Sequence, residues 1–84
     1  MAEPYHARIR ADLLARIARG EWAPGDRLPS TQQLRDHYRV EMSAPALAAS
    51  TVRHAITLMI AYGELRGQQG VGVFVAEPYQ SSSP

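Results

Sequence analysis

The stretch from Ser50 to Ala76, STVRHAITLMIAYGELRGQQGVGVFVA, changes its hydrophobic period halfway along, and that change decides the fold. In the first half Val52, Ala55, Ile56, Met59 and Ile60 fall at i, i+3, i+4, i+7 and i+8, the spacing of a helix with one strongly buried face. On a wheel of about 100° per residue, Ser50, Thr51, Arg53, His54 and Thr57 gather on the other side, which carries hydrogen-bonding groups and no acid. Gly63 is placed to stop this helix, since glycine enters the left-handed C-terminal position without a Cβ penalty. Beyond it Val71, Val73 and Val75 alternate with Gly72 and Phe74, the period of a strand, and Gln68-Gln69-Gly70 is a turn between two such strands.

Two more helices precede this unit. Tyr5, Ile9, Leu13 and Ile17 lie four apart, with Leu14 beside them, and form one apolar stripe that Gly20 ends. Arg8, Asp12 and Arg16 run along a solvated face of the same helix. Pro24-Gly25 is a turn dipeptide, and Pro29 keeps Leu28 extended. Ser30-Thr31-Gln32-Gln33 has the form of a capping box, so a short second helix starts there, turns Leu34 and Tyr38 inward and ends near Arg39 or Val40. Three helices followed by a hairpin make an α+β domain of winged helix-turn-helix architecture, in which the third helix can enter a major groove about 12 Å wide.

Composition narrows the function. A chain of 84 residues builds one modest core and leaves no room for a regulatory domain, so no small molecule is expected within these residues and any ligand sensing lies elsewhere. Without cysteine there is no disulfide or thiolate metal site, and a reducing cytoplasm is compatible. No stretch reaches the length of a membrane span. A net charge of +1 is not the basic footprint of a nucleic-acid binder, so the placement of charge has to be judged. All nine basic residues are arginines, which a GC-rich genome explains as readily as phosphate binding does. His6, His37 and His54 lack metal-ligand spacing, and Asp12, Asp26 and Asp36 stand near no nucleophile motif, so neither a cofactor nor an enzyme is expected. Gly70-Val71-Gly72 suits a tight hairpin better than a nucleotide.

The runs ARIARGEWAPGDRLPSTQQL at 15–34, STVRHA at 50–55 and GVGVFVA at 70–76 resemble the DNA-binding domain of GntR-type bacterial repressors, and the resemblance extends over 5–76. Its most specific part is the ordered run Gly-Glu-x-x-Pro-Gly-Asp-x-Leu-Pro-Ser from Gly20 to Ser30. It implies a winged helix-turn-helix at 5–76, with 77–84 a flexible tail or linker, in a cytoplasmic transcription regulator that binds a double-stranded operator as a homodimer. Residue by residue, Gln32 stands where the family has an arginine, and Thr51-Val52-Arg53 keeps the reading triplet. Arg53 is the leading base reader, because a bidentate arginine discriminates guanine by about 1–3 kcal/mol. Ser50, His54 and Thr57 share its face. Gln69 and Gly70 hold the wing position, but the family's basic residues are replaced by Gly67, Gln68, Gln69, Gly70 and Val71, which implies a weak electrostatic grip.

One stretch departs from the family. Between Val40 and Thr51 lie about seven extra residues, nearly two helical turns. A long unsupported loop inside a helix-turn-helix is uncommon, which favours one extended helix from Ser43 to Tyr62 with Ser43 as cap and Pro45 in its first turn. That reading puts Leu47 on the polar side near His54, within reach of a thymine methyl, and pushes the helix's leading end into the space of a duplex. Either DNA is bound with a shifted helix, or the domain has become a protein-interaction or oligomerisation module, the competing function. The other conformation is a loop over Glu41–Ala49 with Ser50 capping a helix of ordinary length.

Overall fold

The computed structural model describes residues 3–77. Helix α1 runs Tyr5–Ala18, α2 Thr31–Glu41 and α3 Ala49–Ala61, followed by strands β1, Leu65–Gln68, and β2, Gly72–Val75. The tail expected over 77–84 lies, beyond Glu77, outside the described residues.

Each helix stops by the same device. After α1 the amide of Gly20 bonds the Ile17 carbonyl and that of Glu21 reaches Arg16, with Gly20 at φ +83. After α3, Gly63 bonds Ile60 and Glu64 bonds Met59, with Gly63 at φ +79. These are Schellman caps, in which the left-handed residue lets two free carbonyls be satisfied. The start of α2 is the expected capping box: the Gln33 amide donates to the Ser30 hydroxyl at 3.1 Å, and the Ser30 amide donates to the Gln33 side chain at 2.9 Å.

Ile9, Leu13 and Ile17 from α1, Leu34 and Tyr38 from α2, and Val52, Ala55, Ile56 and Met59 from α3 close one core with Leu28, Leu65 and Val75. The wing is antiparallel, with Leu65 opposite Val75, Arg66 opposite Phe74, Gly67 opposite Val73 and Gln68 opposite Gly72. Gly70, at φ +77, takes the third position of the turn closed by the Val71 amide on the Gln68 carbonyl, as a type II turn demands. A bridge from Arg27 to Phe74 adds the segment before α2 to the free edge of β2. It is held by the Leu28 amide on Val73 O at 2.8 Å and the Val75 amide on Asp26 O at 2.9 Å. The extended reading of Leu28 thereby acquires a partner.

The inserted stretch is a loop, and the expected helix from Ser43 to Tyr62 is not formed. Helix α2 ends in a third Schellman cap, the Ser43 amide on Val40 O and the Ala44 amide on Arg39 O, with Ser43 at φ 50 in the position glycine fills elsewhere. A turn follows at once, with the Leu47 amide on Ala44 O and Pro45 at the second position, where its fixed φ belongs. Pro45 also disfavours a helical Ala44, so helix cannot run through from α2. The decisive term is burial. Ala44 and Leu47 are 3% and 2% exposed, and an extended helix would have turned Leu47 to solvent. Ser50 is not the cap either: Ala48 holds that position, with no side-chain hydrogen bond, and Ser50 is exposed as the second residue of α3.

Candidate nucleic-acid interface

The buried side of α3 fixes what its other side offers. With Val52, Ala55, Ile56 and Met59 in the core, Ser50, Arg53, His54 and Thr57 are exposed and Thr51 is partly so. No acid lies anywhere on the helix. The Arg53 guanidinium forms no hydrogen bond or ion pair with the described residues, so its five donors are available to a ligand. The Thr57 hydroxyl donates to the Arg53 carbonyl at 2.9 Å, which leaves it acceptor capacity and a methyl. His54 turns sideways: its ring meets that of His6 edge-on, centroids 4.4 Å apart at 81°, so one flank of the imidazole rests on α1. The sequence gives no sign of that contact, because it joins residues far apart in the chain.

Gln32 is exposed in the first turn of α2. Its neighbour Gln33 is committed to the capping box and Gln32 is not, which fits it to meet a ligand at that helix end. Gln69 and Gly70 are exposed at the wing turn. The sequence-derived residues thus lie on three elements, α3, the start of α2 and the wing, all anchored in one core.

Two clusters hold these elements in place. Tyr38, fully buried, donates its hydroxyl to Asp12 at 2.6 Å and accepts from Arg16 at 3.3 Å, which ties α2 to α1. Burial, followed by the bond to Asp12, raises the phenol's pKa well above its usual range. Arg16 lies 4.4 Å from the centre of the Trp22 ring and bonds Glu21, and that hydrogen bond raises the guanidinium's pKa and lowers the Glu21 carboxyl's. At the foot of the wing Glu64, with no exposed surface, takes two hydrogen bonds from Arg10, whose guanidinium also lies 4.8 Å from the Tyr62 ring centre. Ile60 meets Gly67 of β1, where a Cβ would come within 3.3 Å of its Cδ1, so the apolar end of α3 covers the hairpin.

Charge is less evenly spread than a total of +1 suggests. Arg10, Arg16, Arg19 and Arg35 face carboxylates, whereas Arg8, Arg27, Arg39, Arg53 and Arg66 form no ion pair with the described residues. Arg27 and Arg66 stand on the wing, a placement the turn residues alone conceal. With Leu47 in the core and α3 of ordinary length, nothing from the insertion extends the helix's leading end, and the insertion no longer supports the interaction-module reading.

A short helix with a free arginine face, backed by two helices and flanked by a hairpin, defines the winged helix-turn-helix class of DNA-binding domains. The family described as bacterial regulatory proteins, gntR family, matches residues 6–75. The chain belongs to that family, as a DNA-binding domain of the kind found in transcription regulators. It is 32% identical over 80 residues to the histidine utilization repressor of Pseudomonas aeruginosa, covering 95% of this chain and 29% of that protein. It is 35% identical over 72 residues to the uncharacterized HTH-type transcriptional regulator YisV of Bacillus subtilis, covering 86% of this chain and 13% of that protein. The chain thus spans under a third of the length of these relatives. Among solved structures, the DNA-binding domain of AraR in complex with operator ORE1 superposes with a TM-score of 0.78 at 25% identity, covering 90% of this chain and 84% of that one.

Proposed function

We propose that this domain reads a specific operator with α3 in the major groove and represses transcription as one of two copies on a two-fold site. The observation that carries this is the exposed face of α3, with Arg53 unpaired among hydrogen-bonding neighbours and no acid to repel a phosphate. The operator-bound AraR domain and the repressor relatives support it by similarity. Arg53 reads a guanine, Ser50, Thr51, His54 and Thr57 contact neighbouring bases or phosphates, and Gln32 bonds phosphate from the start of α2. Gln69 and Gly70 bring the wing turn to the adjacent groove. The domain works by binding and not by catalysis, needs no cofactor, and acts in the cytoplasm. Among the described residues no helix is long and apolar enough to cross a membrane. Effector sensing belongs to a part of the regulator other than residues 5–76.

The test is selection of a preferred site from a random duplex pool, followed by titration of Arg53→Ala against that site. Loss of about 1–3 kcal/mol with unchanged melting is expected. A parent that enriches no sequence, or a variant with unchanged affinity for the selected site, would refute the assignment.

A further inference from the structure

The uncharged turn leaves open how the wing would hold a polyanion. The sheet's outer face supplies an answer. Arg66 pairs with Phe74 across the hairpin, and Arg27 bridges to Phe74 from the other edge, so the three side chains share one row on one face. The opposite face carries Leu28, Leu65 and Val75, all in the core. The Arg66 guanidinium lies 5.6 Å from the centre of the Phe74 ring. Arg27 lies over Gly72, its Nε 2.7 Å from where a Cβ would stand. Glycine at position 72 therefore serves two ends: it takes φ +152, and it leaves the space the Arg27 side chain occupies. Neither guanidinium forms an ion pair or hydrogen bond with the described residues, and the acid nearest in sequence to Arg66, Glu64, is turned into the core against Arg10.

We propose that Arg27, Phe74 and Arg66 form a phosphate-binding row on the wing, which grips the duplex backbone where the turn at Gln68–Val71 has no charge to do so. The proposal rests on the DNA-binding reading above. Two features favour a backbone over an acidic protein surface. The row stands two residues from the turn, about 7 Å along the strand, so a wing tip that enters a groove brings the row beside its phosphates. The arginines lie on opposite edges of β2, about 10 Å apart, so each meets a different phosphate. A guanidinium presents two parallel donors to phosphate oxygens, and the aromatic ring beneath it lowers the cost of ordering it. The sequence conceals the row because its two cations come from segments nearly forty positions apart, joined only by the bridge to Phe74.

The experiment is fluorescence anisotropy of the 84-residue chain with a labelled random-sequence duplex across a series of salt concentrations, since backbone contacts alone set that dependence. Arg27→Gln and Arg66→Gln should each flatten the slope of log K against log salt by about 0.9, and the double variant by about twice that. Arg27→Lys and Arg66→Lys should restore the slope, which a merely structural role would not predict. Arg66→Gln carries the test if Arg27→Gln melts early, because Arg66 is stacked on a ring and not on backbone. A parent that binds with a salt-dependent slope that the double variant reproduces would overturn the row while leaving the DNA reading intact. A parent that binds no duplex at low salt would overturn the DNA reading itself, and the row with it.

Discussion

Truncating Leu47 to alanine separates the two conformations open to the inserted stretch. The side chain is 2% exposed in the cluster formed by the three helices and the wing, and the substitution removes three carbons from it. Leucine-to-alanine changes in cores cost about 2–5 kcal/mol, depending on how far the site can collapse. Leu47 sits on a turn and not in a helix, so its backbone can relax inward, and about 2–3 kcal/mol is the appropriate part of that range. In a domain of this size each kcal/mol moves the midpoint by about 4–8 °C, which puts the variant roughly 10–20 °C below its parent. Circular dichroism melts read this directly, with the exposed neighbour Ala46→Ser as a control that should stay within about 0.5 kcal/mol. DNA affinity, compared at a temperature where both proteins are folded, should not change, because the side chain faces the core. A melt within about 3 °C of the parent, together with weaker binding, would refute the loop and restore Leu47 to the DNA side.

Ser43→Gly should raise stability by about 0.5–1 kcal/mol, since a left-handed serine bears a steric cost that glycine avoids; a higher urea midpoint at unchanged m-value checks it. Glu64→Gln should lower stability by about 1–3 kcal/mol, at the modest end for a buried pair because Arg10 keeps 27% of its side chain in solvent. Its thermal melt should fall while the spectrum of the folded state persists. Tyr38 gives a pH dependence: the unfolded phenol ionises near pH 10, but the folded one only at higher pH, so its contribution is complete below about pH 10 and lost as pH rises further. Urea midpoints from about pH 9 to 11 should therefore fall more steeply in the parent than in Tyr38→Phe.

Helix periods, the capping box and the valine alternation are local signals, and local chemistry was enough to place α1, α2, the body and end of α3, and the wing. The insertion was not legible because its local signals point the wrong way. Ala46, Ala48 and Ala49 favour helix, and a left-handed serine announces itself in no pattern. The conformation there is set by where Leu47 finds its core, a tertiary fact. Among the candidate interface residues, the exposed face of α3 follows from the periodicity that buries its other side. The edge-on contact of His54 with His6 and the assembly of Arg27 with Arg66 do not, since each joins segments that only the finished fold brings together.

The bridge at Arg27 has a mechanical consequence. It places β2, the last strand among the described residues, between two partners, bonded to β1 on one side and to the segment leading into α2 on the other. The next residue, Ala76, is itself tied by its amide to the Glu64 carbonyl. The bonds on the two sides of β2 therefore share a load placed on the chain just after Val75. The same bonds carry that load to the start of α2 and to the end of α3 together.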